Sequence, residues 1–270
     1  MIPKIIHYCW FGGNPLPEEL QAYIATWKKY CPDYEIKLWN EESFDIDSHI
    51  FTKTAYAARK FAYVSDYVRA YVLNKYGGIY LDTDVELKKS LDVFLEHEAF
   101  TGFEAKGFPF TALWAAIPEH SLTQKVLSYY DNREYLPSQE TNTKSVSATL
   151  IDEFGIDPEK NILQIGNDGI NTIHIYPAEY FCLDLLPNYA THHFFGSWLP
   201  NKKDPFKDFL HTQYYLDKAT EYEEYKFNTL NDLSKKIRYI ELLKIAIFRF
   251  YNLYMPEPLK KLRRNLKNHG

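Results

Sequence analysis

The chain contains 270 residues, of which 46% are hydrophobic, and this is enough for one sizeable domain with its own core. The formal net charge is −5, but from residue 233 onward 10 Lys or Arg stand against 2 Glu, which leaves 21 basic and 34 acidic residues in the body. This acidic body argues against a nucleic-acid-binding protein, because such proteins present a basic surface to phosphates.

Three cysteines without CxxC spacing indicate neither a disulfide framework nor a thiolate zinc site. The first residues lack the apolar region of a signal peptide, and no stretch approaches the roughly 18 uninterrupted apolar residues of a membrane span. The expected location is therefore the cytoplasm.

The first 40 residues predict a β-α-β unit. Residues 4–11 are rich in Ile and aromatic side chains and run into Gly-Gly-Asn-Pro at 12–15, which is typical of a strand followed by a loop. Residues 17–30 place apolar side chains at helical spacing, and residues 35–39 alternate as a second strand. Open sheets bind ligands beyond the carboxyl ends of their strands, where Trp10 is expected to lie.

A buried helix is predicted for residues 54–76, because this segment is apolar nearly all round. Gly77-Gly78 would end it with a left-handed cap, and the short apolar strand 79–81 then ends in Asp82-Thr83-Asp84. Further strands and helices alternate toward the C-terminus, with late strands predicted at 172–176 and 191–195. The pattern indicates an α/β domain over residues 1–218.

Residues 219–270 are predicted to form a basic, helical C-terminal extension. Its apolar side chains recur at helical spacing, at Ile237, Ile240, Leu243, Ile247, Phe250 and Tyr254. A basic amphipathic helix can lie on an anionic membrane surface. It can equally pack on the catalytic body or on a second subunit, and the sequence leaves both interpretations open.

The Asp82-Thr83-Asp84 triplet is the strongest candidate for a functional site. Carboxylate oxygens are preferred ligands of Mg²⁺ and Mn²⁺, with phosphate oxygens and water completing the shell. An Asp-x-Asp triplet alone is common in turns and on surfaces. Here it would end a buried strand with nothing to neutralise the two acids, which favours a site for a cation and a diphosphate.

Two further groups of residues are candidates for the same site. Asp66 and Arg69 share a face of the predicted helix, either as an internal salt bridge or to bind donor hydroxyls and phosphate. Of the adjacent His192 and His193, only one can easily join Asp84, because neighbouring residues on a strand point to opposite faces. We select His193 as the metal ligand, the alternative being a core histidine bonded to the backbone.

These segments together resemble glycosyltransferase family 32. The resemblance is carried by residues 2–7 with Trp10, 62–69, 77–85 and 192–198, the last ending in Gly196-Ser197-Trp198. That family includes bacterial capsular and exopolysaccharide transferases and fungal Golgi mannosyltransferases, and the large clostridial glucosylating toxins are more distantly similar. It implies a GT-A, Rossmann-like nucleotide-sugar-binding fold, a divalent cation (Mn²⁺ or Mg²⁺), and retention of anomeric configuration.

The resemblance also implies residue roles. Trp10 would border the nucleotide base, Asp66 and Arg69 would contact the donor sugar and ribose, Asp82 would bind sugar or ribose hydroxyls, and Asp84 would ligate the metal. At the late segment, His193 and Trp198 would close the site over the diphosphate, and Ser197 and Trp198 could contact phosphate and sugar. Ser197 and Trp198 have a simpler alternative, a helix N-cap and a buried aromatic. The segment after Gly102-Phe103-Glu104 departs from the family pattern, so contacts to the donor sugar and acceptor are not carried over.

The leading hypothesis is a retaining hexosyltransferase that uses a nucleotide-sugar donor, UDP-linked before GDP-linked. The acceptor would be a glycan or lipid-linked saccharide in capsule, exopolysaccharide or other surface polysaccharide biosynthesis. The protein would be cytoplasmic, or peripheral on the inner face of the plasma membrane through its tail. Two alternatives remain open: a metal-dependent nucleotide-sugar phosphohydrolase, which usually needs more ligands, and a non-catalytic sugar-binding module, which needs no diphosphate cation site.

Overall fold

The computed structural model describes residues 1–196, 209–218, 220–221, 243–244 and 247. The chain divides into two compact units, residues 1–211 and 212–270. Most of the predicted C-terminal extension lies outside the described residues, so the domain boundary after residue 218 and the amphipathic tail helix stay predictions. Residues 209–218 are helical.

The first unit is built on a mixed sheet. Its seven strands are β1 (Ile5–Cys9), β2 (Glu35–Trp39), β3 (Gly78–Leu81), β5 (Ala99–Gly102), β6 (Leu113–Ala116), β7 (Gln164–Asn167) and β8 (Thr172–Tyr176), in the order β2-β1-β3-β6-β5-β8-β7. Strands β6 and β7 run antiparallel to their neighbours, and the other strands share one direction. The other two strands, β4 (Val85–Leu87) and β9 (Ala190–His192), form a separate antiparallel ribbon.

Within residues 1–196, six helices accompany these strands. They are α1 (Glu18–Tyr30), α2 (Ile50–Ala57), α3 (Phe61–Tyr76), α4 (Ser121–Tyr130), α5 (Asn142–Phe154) and α6 (Ala178–Phe181), with short 3₁₀ turns at Ile46–Ser48 and Asp92–Phe94. The predicted α/β class is confirmed, its GT-A type stays a prediction, and the predicted helix at 54–76 is divided in two. The chain turns at Arg59, whose φ of 57° is left-handed and cannot continue a helix.

Helix α3 and strand β3 are joined by Gly77-Gly78, as predicted. Gly78 has a φ of 107°, and a Cβ on it would approach the carbonyl oxygen of Ile5 to 2.6 Å. Only glycine therefore lets β3 begin this close to β1. All four residues of β3 are buried, and so are the α3 side chains Val64, Val68, Ala70, Val72 and Leu73, which shows why this segment of the sequence is apolar.

The β4–β9 ribbon is anchored to helix α1. The indole Nε1 of Trp27, which is fully buried, donates a hydrogen bond of 2.7 Å to the carbonyl oxygen of Val85. The backbone N–H of Leu87 donates to Thr26 Oγ1 at 2.9 Å. Strand pairing sets Val85 opposite His192, so this ribbon brings the late histidines to the residues that follow β3.

Candidate active site

The carboxyl ends of β1, β3 and β5 lie at one edge of the sheet, because these strands run in the same direction. Trp10 follows β1, Asp82 follows β3, and Glu104 comes two residues after β5. The backbone N–H of Asp82 donates to Ala112 at 3.0 Å, which fixes the triplet against the chain that leads into β6.

Arg69 connects the helix α3 to the triplet. Its Nη2 lies 3.1 Å from Asp66 Oδ1 and 3.1 Å from Asp82 Oδ1, and its guanidinium stacks 4.6 Å above the ring of Tyr80. Arg69 is only 8% exposed, so the two carboxylates supply the charge that makes its burial tolerable. The internal ion pair predicted for Asp66 and Arg69 is present and extends to Asp82, while their contacts to donor sugar and ribose stay predictions.

Burial shapes the ionisation of both acids. It raises the pKa of Asp66 to about 6, although Arg69 opposes the rise. Burial also raises the pKa of Asp82, with Arg69 again opposing and Asp84 adding to the rise. Desolvation thus disfavours the negative charge on these two acids, and a bound cation would stabilise that charge.

Asp84 is held from three directions. Its Oδ2 accepts a hydrogen bond of 2.8 Å from the N–H of Phe195 and lies 3.4 Å from His192 Nε2, while its carbonyl oxygen accepts from the N–H of His193 at 2.9 Å. Burial would raise the pKa of Asp84, but His192 and the N–H of Phe195 bring it below the ordinary value. The carboxylate is thus kept ionised in a fixed orientation.

Ligand atoms of Asp82, Asp84 and His192 lie within 4.8 Å of one another. Two carboxylates and an imidazole are a donor set that fits a divalent cation, and Mn²⁺ accepts both ligand types. The partly exposed side chain of Asp82, at 28%, leaves an open side on which further ligands could complete the shell.

The structure brings His192, rather than the selected His193, into this cluster. His193 Nε2 lies 2.9 Å from Glu86 Oε2, and the His193 ring stacks on Tyr23 with centroids 4.3 Å apart. His192 Nε2 lies 3.4 Å from Asp84 Oδ2. The pairing of β9 with β4 sets which of the two histidines faces Asp84, and binding of a cation by either one stays a prediction.

Trp10 lies at the same sheet edge, one strand from Asp82. Its backbone N–H donates to Trp39 and its indole Nε1 donates to the carbonyl oxygen of Asn14 at 2.7 Å, so the ring has a defined position and remains partly exposed. Its stacking on a nucleotide base stays a prediction. Ser197 and Trp198 lie outside the described residues, and their assigned roles also stay predictions.

Glu104 was not among the predicted site residues. Glu104 is partly buried, and this burial raises the pKa of its carboxyl group to about 7; His192 opposes the rise, and Asp82 and Asp84 add to it. Cys182 contacts the backbone of both Glu104 and His192, which brings Glu104 near the acidic cluster. The sequence does indicate this position, because Glu104 follows the short strand β5 much as Asp82 follows β3.

The partly buried Asp-x-Asp triplet, with Arg69 and His192 beside it at the strand ends of the sheet, lies in a segment similar to a known family. Residues 17–101 match the family model described as "Glycosyltransferase sugar-binding region containing DXD motif".

Proteins of similar sequence include named glycosyltransferases. The chain is 36% identical over 126 residues to inositol phosphoceramide mannosyltransferase 3 of Schizosaccharomyces pombe, covering 40% of this chain and 35% of that protein. It is 26% identical over 223 residues to an uncharacterized glycosyltransferase of Acanthamoeba polyphaga mimivirus, covering 75% and 86%. Among solved structures, the PaToxG glycosyltransferase aligns with a TM-score of 0.45 and 20% identity, covering 57% and 70%. The chain thus spans little more than a third of the fungal mannosyltransferase.

Proposed function

We propose that this protein transfers a hexose from a nucleotide sugar to a hydroxyl group of a glycan or lipid-linked acceptor. The observation that carries the proposal is the cluster of Asp82, Asp84 and His192, whose ligand atoms lie within 4.8 Å of one another at the carboxyl edge of the sheet. Two of the three residues belong to the segment that matches the DXD-containing family.

Each residue has a role that its contacts support. Asp84 and His192 would hold a Mn²⁺ or Mg²⁺ ion, with Asp82 contributing its second oxygen or binding a sugar or ribose hydroxyl. When bound, the ion supplies Lewis-acid stabilisation of the leaving diphosphate. Arg69 orients Asp66 and Asp82 and adds positive charge behind them.

We further propose a UDP-linked donor before a GDP-linked one, and transfer with retention. No carboxylate stands out as a covalent nucleophile, so the acceptor oxygen would bond to the sugar on the face that the diphosphate leaves. The bond from the sugar to the diphosphate breaks with its electron pair on the diphosphate, which takes the proton of the acceptor hydroxyl. Trapping of a glycosyl-enzyme would contradict this order of events.

The acceptor class is proposed from two sources. Family members that resemble the chain build capsules and exopolysaccharides, which makes a surface polysaccharide the first candidate. The fungal relatives are named inositol phosphoceramide mannosyltransferases, so mannose belongs among the candidate sugars and a lipid headgroup among the candidate acceptors. The phosphohydrolase alternative is less well supported, because two-metal hydrolases usually need more than three ligand groups.

Donor binding should require a divalent cation. We expect the unfolding temperature of the full chain to rise with UDP-glucose, UDP-galactose or GDP-mannose only when Mn²⁺ is present, because the diphosphate binds through the ion. A ligand at 100 times its dissociation constant adds about 2.7 kcal/mol of stability. Differential scanning fluorimetry with and without EDTA makes the comparison, and the donor that shifts most names the nucleotide. No shift with any donor would contradict the proposed function.

Peripheral membrane contact from the cytoplasmic side is proposed from the sequence of the tail. Among the described residues no helix is long and apolar enough to cross a bilayer. Basic residues near an anionic surface contribute roughly 1 kcal/mol each. Replacing Lys260, Lys261, Arg263 and Arg264 by Gln should therefore weaken sedimentation with phosphatidylserine vesicles about 10²- to 10³-fold, with donor hydrolysis unchanged. Equal sedimentation of both forms, or binding to neutral vesicles, would favour packing of the tail on protein.

A further inference from the structure

Glu104 is a partly exposed acid at the same edge of the sheet as Asp82. In the part of the chain that the structure describes, no residue donates a hydrogen bond to its carboxylate, and no cation pairs with it. Its backbone lies close to that of His192, because both contact Cys182. A partly exposed carboxylate that these residues leave unpaired can accept hydrogen bonds from a substrate.

The backbone around Glu104 is fixed. Its N–H donates to the carbonyl oxygen of Phe108 at 2.9 Å, and its own carbonyl oxygen accepts from Cys182 Sγ at 3.6 Å. The preceding N–H of Phe103 donates to Tyr176 at 2.8 Å. These contacts fix the backbone that carries the side chain, which is what a binding residue needs.

Cys182 also connects this position to the cation cluster. Its carbonyl oxygen accepts a hydrogen bond of 2.9 Å from the N–H of His192, while its thiol contacts the backbone of Glu104. A thiol contact and a backbone hydrogen bond, both made by Cys182, thus link the backbone of Glu104 to that of His192. The spacing between the carboxylate and the cluster is set by the fold rather than by a free loop.

The strand order gives the direction of the donor along this edge. Trp10 follows β1, Asp82 follows β3 beside it, and Glu104 follows β5, which is separated from β3 by β6. Neighbouring strands lie about 4.8 Å apart, so β5 is on the order of 10 Å from β3. A donor whose base stacks on Trp10 and whose diphosphate meets a cation at Asp84 would extend its hexose toward β5.

We infer that Glu104 binds hydroxyl groups of the transferred hexose and thereby determines which sugar the site accepts. This inference rests on the proposed function. A carboxylate has two oxygens that can accept from two neighbouring hydroxyls, and such charge-assisted bonds are among the stronger ones. A sugar that lacks one of these hydroxyls, or carries it with the other configuration, would leave the partly buried carboxylate unpaired and would be disfavoured.

The test separates the sugar from the nucleotide. Binding of UDP and GDP with Mn²⁺ is measured by calorimetry, and hydrolysis of the best wild-type donor without acceptor is measured by product release. We expect Glu104→Ala to bind the nucleoside diphosphate within about twofold of wild type and to lower kcat/KM for donor hydrolysis about 10- to 100-fold. Glu104→Gln, which keeps one acceptor oxygen, should lose less.

The assignment to sugar hydroxyls can be isolated with deoxy donors. A donor that lacks the recognised hydroxyl should react poorly with the wild type, whereas Glu104→Ala should use it as well as the complete donor. Glu96→Ala serves as the matched control, since Glu96 is exposed and precedes β5 at the opposite end of the strand. The unfolding temperature of Glu104→Gln should equal or exceed that of wild type, because a buried charge is removed.

Three results would overturn the inference. Equal losses of nucleoside diphosphate and donor affinity in Glu104→Ala would place the residue at the cation. Unchanged donor hydrolysis with loss of transfer alone would place it at the acceptor. Identical discrimination against deoxy donors in wild type and Glu104→Ala would remove it from sugar recognition. A wild type that binds no nucleotide sugar with Mn²⁺ would instead overturn the proposed function itself.

Discussion

Asp84→Ala should abolish cation-dependent donor binding and lower transfer about 10³-fold, because of the two carboxylates in the cluster it removes the one that His192 and the N–H of Phe195 keep ionised in a fixed orientation. Losing several kcal/mol of Lewis-acid stabilisation corresponds to a factor of this size. The fold should survive, at a cost of about 1–3 kcal/mol, since the N–H of Phe195 loses its acceptor. Asp84→Asn keeps an acceptor oxygen for the N–H of Phe195. This variant should therefore be more stable than Asp84→Ala, while remaining inactive. Calorimetric titration of Mn²⁺ with UDP measures both variants.

The two histidines supply the control for this result. His192→Ala should weaken Mn²⁺-dependent binding, because His192 belongs to the cluster. His193→Ala should leave it nearly intact, because that ring contacts Glu86 and Tyr23 instead. The reverse outcome, with His193 required and His192 dispensable, would show that the cation binds elsewhere. Retention of cation-dependent donor binding in Asp84→Ala would show the same.

Arg69→Ala should be the most destabilising single change in the site, at about 3 kcal/mol, the lower end of the range for breaking a buried ion pair. The variant leaves Asp66 and Asp82 without their shared cation while both side chains stay largely buried, at 13% and 28% exposure. We expect a loss at the lower end of that range of energies because Asp82, the more exposed of the two acids, can be solvated once Arg69 is removed. Urea denaturation without added metal measures the loss.

Neutralising Asp66, one of the two acids that remain, should recover part of that stability. In Arg69→Met with Asp66→Asn, the long apolar side chain fills the same space and the amide carries no charge, so the double variant should be more stable than Arg69→Met alone. Arg69→Lys keeps the charge but loses the planar group that contacts both acids, and should fall between wild type and Arg69→Ala. Equal stability of Arg69→Ala and wild type would mean that the ion-pair network contributes nothing to folding.

Local signals predicted the central part of the fold. The apolar segment ending at Gly77-Gly78, the short strand after it and the acids at its end all follow from neighbouring residues, and the structure confirms them. The division of the predicted helix at 58–60 was not predictable in this way, because Arg59 adopts a left-handed conformation that arginine rarely takes. Tertiary packing of α2 and α3, rather than local preference, holds that turn.

Long-range pairing explains the two differences at the site. The sequence indicates that neighbouring histidines face opposite ways, but only the pairing of His192 with Val85, far away in the chain, decides which one meets Asp84. Glu104 was missed for a related reason. Its position becomes meaningful only once β5 is known to lie two places from β3 in the sheet, with the same direction.

The β4–β9 ribbon also has a consequence for folding kinetics. Asp84 and His192 approach to 3.4 Å although more than a hundred residues of chain separate them, so the cation cluster is complete only after a large loop has closed. Contacts of high sequence separation form late and slowly in a folding reaction, since the entropy of closure comes first. The segment that matches the family, residues 17–101, contains both acids but not the histidine. Cation affinity should therefore appear last during refolding, as a reporter of β9 docking onto β4.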